Sequence, residues 1–378
     1  MKTPAALLAV MLVGPLTADD ARPDGFFRTV LRRSGDDGVH TYRIPGLATT
    51  PKGTLIAVFD ARNKGGGDLP ADIDVAGMRS TDGGTTWGPM QRIMDYDAAE
   101  PGSKGNGVGD PSVLVEGKTG RIFVAALWSK GPRGWHGSGP GLTPDQTGQF
   151  VLSHSADDGL TWSKPESITP QIKQPEWRLC FQGPGNGLQL RDGALVFPAQ
   201  FKDAGNVAHS CFIASTDGGT SWRISPAAAP GRPPTSESAL AELDGTSLLI
   251  SMRDESRPGQ RLWARWEWSG GDVLSGKWGA PWSALPDPTC MGSLLRHPSG
   301  ALIFCNPAHP KSRTSLTVRS SHDQGKTWNS GRLIEPAGAM YSSLAVLKDG
   351  AIGLLYESVP DKGLVFARFP LAWIDSAP

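Results

Sequence analysis

This 378-residue sequence predicts an all-β fold, a six-bladed β-propeller with four-stranded antiparallel blades, on three observations. The octapeptide pattern S-x-D-x-G-x-[TS]-W occurs four times, as "STDGGTTW" (Ser80 to Trp87), "SADDGLTW" (Ser155 to Trp162), "STDGGTSW" (Ser215 to Trp222) and "SHDQGKTW" (Ser321 to Trp328). Six β-rich runs follow polar or Gly-containing turns: "GTLIAVFDAR", "GRIFVAALWS", "GALVFPAQF", "TSLLISMR", "GALIFCNP" and "GAIGLLYES". No amphipathic helix is evident before the short "FPLAWID" tail. Repeats on this scale, built from strands, argue for radial repetition of one sheet unit. A seven-bladed propeller or a pair of β-sandwiches are the alternatives.

The N-terminal stretch "MKTPAALLAVMLVGPLTADDARPDG" has one early lysine, an apolar run from Ala5 to Leu16 and small residues ending near Ala18. That pattern reads as an export signal over residues 1–18, with a run too short to span a bilayer. A short segment follows at 19–25, and one propeller domain fills 26–378. The expected location is periplasmic or secreted, without membrane insertion.

Each octapeptide sits between a β-rich run and a short polar segment, as expected for a tight turn between strands. Ser and Asp side chains satisfy nearby backbone groups, Gly accepts positive φ, and Trp packs back on the hairpin. The long gap from Ser215 to Ser321 leaves room for a blade whose box has degenerated, near "WEWSGGDVLSGKWGAPW" (Trp266 to Trp282). The six β-rich runs are expected as inner strands, so the polar residues at their ends are the ones to inspect.

Lys+Arg and Asp+Glu both number 37, so no net field draws nucleic acid or an anionic membrane, and anion recognition has to be local. Cys180, Cys211, Cys290 and Cys305 lack C-x-x-C spacing, which disfavours zinc; they allow up to two disulfides or buried free thiols. With no ligand cluster or phosphate loop, no metal and no cofactor are expected. Arginine recurs at strand ends: Arg43 in "YRIP", Arg62 in "FDARNKGGGD", Arg253 in "LLISMRDES" and Arg313 in "NPAHPKSR". Guanidinium forks converging on one axis make a carboxylate site.

In "YRIP", the boxes, the arginines and the later Glu and Tyr motifs, taken in order across nearly the whole chain, the sequence resembles the bacterial exo-α-sialidases (neuraminidases) of the Asp-box retaining glycosidase type. The resemblance implies that Arg43, Arg253 and Arg313 clamp the substrate carboxylate and that Arg62 lies near the sugar C4 hydroxyl. It implies Tyr341 of "GAMYSSLAVL" as nucleophile, Glu237 of "TSESALAEL" as its partner and Asp68 of "ARNKGGGDLPADID" as acid/base. Glu357 of "LLYES" would hold Arg43, and Asp110 and Trp128 would line the pocket at the C4 hydroxyl and N-acetyl group. Asp72, Asp74 and Glu242 are read as structural, and the box aspartates as lying away from the site. The implied partners are sialylated glycans, met by a monomer. A tyrosine suits such a substrate, whose anomeric carbon bears a carboxylate that would repel an anionic nucleophile. The competing classes are a non-catalytic glycan-binding propeller and an enzyme that transfers sialic acid or releases an anhydro sugar.

Overall fold

The computed structural model describes residues 22–96, 105–232 and 234–377. The signal-peptide reading of residues 1–18 lies outside them. Among the described residues no helix is long and apolar enough to cross a membrane.

Blade 1 is a four-stranded antiparallel sheet running outward from the axis: Thr41–Thr49, Leu55–Arg62, Ile73–Ser80 and Gln91–Met94. Blades 2, 3 and 4 repeat the order with inner strands at Gly107–Val115, Leu179–Gln182 and Thr235–Glu242. The strand Arg332–Val346 belongs to two blades: its first half pairs with Thr314–Ser321 as the outer strand of blade 5, and its second half pairs with Ile352–Ser358 as the inner strand of blade 6. Blade 6 takes its outermost strand from the other end of the chain, Phe27–Arg33 on Gly363–Phe369, which closes the ring. Six apolar clusters separate the blades. One example joins Phe59 of blade 1 to Phe366 of blade 6, and another joins Trp263 of blade 4 to Phe304 of blade 5. Six interfaces between six blades define a closed ring.

The six β-rich runs are the second strands of their blades and not, as the sequence suggested, the inner ones. The reason is burial on both faces. Along Leu55–Arg62, Ile56 and Val58 enter the core shared with blade 2, while Leu55, Ala57 and Phe59 enter the one shared with blade 6. A strand buried on both sides reads as a continuous apolar run. The inner strands crowd the axis and need small residues instead. A Cβ on Gly46 would stand 2.4 Å from the Gly185 carbonyl oxygen, and the inner strand of blade 4 reads "TSESALAE".

The boxes join third to fourth strands in blades 1, 2, 3 and 5. Blade 4 carries the degenerate turn at the expected place, with Trp266 donating to the Val273 carbonyl at 2.7 Å. Blade 6 has no such turn because the chain termini interrupt it. In the first box Asp82 accepts from the Ser80 hydroxyl at 2.8 Å and from the Thr86 hydroxyl at 2.6 Å, and Ser80 accepts from the Gly84 amide at 2.9 Å. The second box adds a tie between blades: Asp158 accepts from Thr50 and Thr54, both at 2.7 Å. All four cysteines are buried free thiols.

The Thr86 hydroxyl and amide bring the Asp82 carboxyl down to about 2, and Thr161 does the same for Asp157. At Asp217 and Asp323 slight burial pushes upward, but hydrogen bonds again carry the groups to about 2. A folded value below the unfolded ~3.9 means the stabilisation is fully present above about pH 4 and is lost as pH falls through 2. Thermal midpoints are therefore expected to drop between about pH 4 and pH 2. Replacing Asp82 with Ala should remove part of that slope and lower the unfolding free energy by about 1 kcal/mol, a small value because the carboxylate is exposed. Chemical denaturation of the pair checks this.

Candidate active site

Inner strands start at one face of the ring, second strands return to it, and third strands leave it again. The boxes, at the ends of third strands, therefore lie on the far face. The near face carries the starts of the inner strands, where four bulges interrupt the ladder: between Arg43 and Gly46, Gly109 and Ser112, Thr235 and Ser238, and Ala339 and Ser342. Extra residues in a ladder re-aim side chains. Those re-aimed here include Ile44 and Asp110, both at positive φ, and Ser236, Glu237, Met340 and Tyr341.

The bulges surround a cavity of about 270 Å³ lined by Arg43, Asp68, Asp110, Glu237, Arg253, Arg313 and Tyr341, among others. At its floor the Tyr341 hydroxyl donates to Glu237 Oε1 at 2.5 Å. Arg253 Nη1 donates to Glu237 Oε2 at 2.8 Å and to the Tyr341 oxygen at 3.1 Å. The guanidinium carbons of Arg43 and Arg313 stand 5.4 and 5.7 Å from the centre of the Tyr341 ring. Three arginines from blades 1, 4 and 5 thus converge on one tyrosine of blade 6. Burial pushes the Tyr341 phenol well above its usual range, and the Glu237 charge adds to that. The phenol is therefore neutral at rest.

Glu357 lies beneath Arg43, accepting from its Nε and Nη2 at 3.3 Å and from the Ile44 amide at 2.8 Å. Arg313 has weaker company, the Thr289 carbonyl at 3.4 Å and the Met340 sulfur at 3.9 Å, and no carboxylate among the described residues. Asp68 projects from the segment between the second and third strands of blade 1, with its side chain 79% exposed. Burial pushes its carboxyl up, but Arg62, Arg43 and Arg313 outweigh this and hold it below the usual carboxylate range. Asp110 is pushed far up, by burial first and then by the Asp60 and Glu237 charges. Its side chain faces the cavity.

Besides Glu357, two of the expected site residues sit apart from the lining. Arg62 is 1% exposed, its Nε and Nη2 on Asp60 at 3.1 and 3.0 Å and its Nη1 on the Gly66 carbonyl at 2.8 Å and Asp68 at 2.7 Å. It holds the Asp68 segment from below and is not part of the cavity lining. Trp128 is turned away and stacks on Tyr96 at 4.4 Å. Alternation along Ile122–Ser129 gives the cavity side to Leu127 instead. The apolar wall there is Leu127, Trp135 and Phe181, with Gln200 directly across the ladder from Phe181. Trp135 comes from a long loop with no motif, and Phe181 looks like ordinary strand core, so neither stood out in the sequence. Ser236 and Glu255 also line the cavity. Both neighbour motif residues: Ser236 precedes Glu237, and Glu255 lies two positions after Arg253.

The BNR repeat-like domain profile matches residues 53–354. The chain belongs to the Asp-box, or BNR-repeat, sialidase family. It is 39% identical over 350 residues to a sialidase of Bacteroides fragilis, covering 87% of this chain and 62% of that one. A sialidase of Micromonospora viridifaciens is 36% identical over 360 residues, covering 90% of this chain and 53% of that protein. The chain therefore spans between about half and two thirds of the length of these two relatives. Among solved structures, the Hadza microbial sialidase Hz136 superposes with a TM-score of 0.84 at 38% identity, over 92% of this chain and 69% of that one. This sialidase-family chain thus has its charged cavity on the near face of a propeller, remote from the boxes that give the family its pattern.

Proposed function

We propose that the protein is an exo-α-sialidase that hydrolyses terminal α-linked sialic acids from glycans with retention of configuration, through a covalent Tyr341 intermediate. The observation that carries the reading is the convergence of Arg43, Arg253 and Arg313 on Tyr341, whose hydroxyl lies 2.5 Å from Glu237. A carboxylate bound by the arginines would sit beside the phenol oxygen, which puts the adjacent anomeric carbon within reach of attack.

The geometry supports each step. Glu237 accepts the phenol proton as the oxygen attacks, so the nucleophile becomes anionic only while bonding. Arg253, on both atoms, offsets the charge that passes between them. Asp68, over the mouth, donates a proton to the leaving glycosidic oxygen and then takes one from the water that releases the sugar. Glu357 keeps Arg43 aimed. Asp110 hydrogen-bonds a sugar hydroxyl, and Leu127, Trp135 and Phe181 replace Trp128 as the apolar wall for an acetamido methyl.

The test is proton NMR of sialyllactose turnover. Early release of the α-anomer of free sialic acid is expected; first appearance of the β-anomer, or of an anhydro or transferred product, would refute retaining hydrolysis. Labelling with a 3-fluorosialosyl fluoride should place the adduct on the Tyr341 peptide by mass spectrometry.

A further inference from the structure

We infer that Glu255 is a positioning residue that keeps Arg253 from closing on both oxygens of Glu237, leaving one oxygen to the Tyr341 hydroxyl. The inference rests on the proposed roles of Glu237 and Tyr341.

Arg253 lies in the second strand of blade 4 and Glu255 just beyond its end, two positions on, so both side chains project to the cavity. Glu255 Oε1 stands 3.0 Å from Arg253 Nε as an ion pair and accepts from the Ser236 hydroxyl at 2.5 Å. The Glu255 amide donates to the Pro234 carbonyl at 2.9 Å. The carboxylate is thus fixed to the strand that carries Glu237. Arg253 is held between two glutamates, Glu237 at its Nη1 and Glu255 at its Nε.

A guanidinium beside a carboxylate favours the two-pronged pairing. Freed from Glu255, Arg253 would adopt it on Glu237 and displace the Tyr341 hydroxyl from Oε1, making Glu237 a poorer base. The second glutamate therefore keeps the base available and leaves Arg253 shared between base and nucleophile. Glu357 holds Arg43 in a comparable way from another blade, whereas Arg313 has no such carboxylate among the described residues.

Glu255→Gln keeps the size and loses the charge. Its kcat is expected to fall about tenfold with KM not raised, and the acid limb of kcat/KM should move to lower pH. The other groups facing Glu237 are Arg253, Tyr341, Asp110, Arg261 and Cys290, and all are unchanged in the variant. In an Arg253→Lys background, where no fork exists, Glu255→Gln should add nothing. Wild-type kcat and pH profile in Glu255→Gln would overturn the inference, as would a raised KM with unchanged kcat. A crystal structure of the variant decides independently of turnover: Arg253 is expected on both Glu237 oxygens, and an unmoved Arg253 overturns the positioning role. If the wild-type protein neither cleaves nor binds sialosides, the functional reading fails while this structural readout still stands.

Discussion

Replacing Tyr341 with Phe is expected to lower kcat/KM for an aryl sialoside about 10³-fold, equivalent to about 4 kcal/mol of transition-state stabilisation, and to leave the fold intact. The side chain is 6% exposed, and the phenyl ring retained by Phe fills the same space between Arg43 and Arg313. Among the described residues the lost oxygen hydrogen-bonds Glu237 and Arg253, inside the cavity. Glu237 keeps Arg253 at 2.8 Å, so no carboxylate is stranded without a partner. Unfolding midpoints should stay close to wild type while turnover collapses. An aryl substrate makes the test strict, because its leaving group needs little help and the loss then reports attack at the anomeric carbon. A variant that turns over within a few-fold of wild type would exclude Tyr341 as the nucleophile.

The sequence made the architecture legible through its turns. Ser80, Asp82, Gly84 and Trp87 form a local hydrogen-bonded unit whose pattern survives whatever surrounds it, so four boxes and one degenerate turn mark five blades. The sixth has no box and is marked only by its β-rich run "GAIGLLYES", because its outermost strand comes from the ring closure of Phe27–Arg33 on Gly363–Phe369, a long-range pairing that leaves no local signal. The same limit explains the misplaced inner strands, since apolar content reports burial on both faces and not distance from the axis. At the site, charged residues at strand ends were readable because nothing in a β-rich run otherwise requires them. Depth was not. Arg62 and Arg43 both pair with Asp68, but Arg62 is buried beneath the Asp68 segment while Arg43 lines the cavity. Trp128 and Leu127 are adjacent letters, and the strand's pleat alone sends one into the cavity and the other onto Tyr96. Glu255 was hidden by its exposed-looking turn sequence, although spacing of two from Arg253 is the signal that could have found it.

Asp68→Asn should separate substrates by leaving group. For sialyllactose, whose departing oxygen needs a proton, kcat/KM is expected to fall about 10²- to 10⁴-fold, and for an activated aryl sialoside about tenfold or less. The resting site explains why the effect should also depend on pH. Arg62 at 2.7 Å and Arg43 at 3.5 Å keep the free carboxyl below its usual range, so near neutrality it starts as an anion and not as an acid. A substrate carboxylate arriving on Arg43 and Arg313 cancels part of that pull, and covering the exposed side chain with a glycan desolvates it. Both changes raise its proton affinity, so binding takes up a proton. With sialyllactose, kcat/KM should therefore fall as pH rises from the acidic side, and the falling limb of kcat should lie at higher pH than that of kcat/KM. The falling limb should vanish in Asp68→Asn, which has no proton to lose. Equal losses on both substrate types, or an unchanged limb in the variant, would mean that Asp68 only anchors Arg43 and Arg62 and that another group protonates the leaving oxygen.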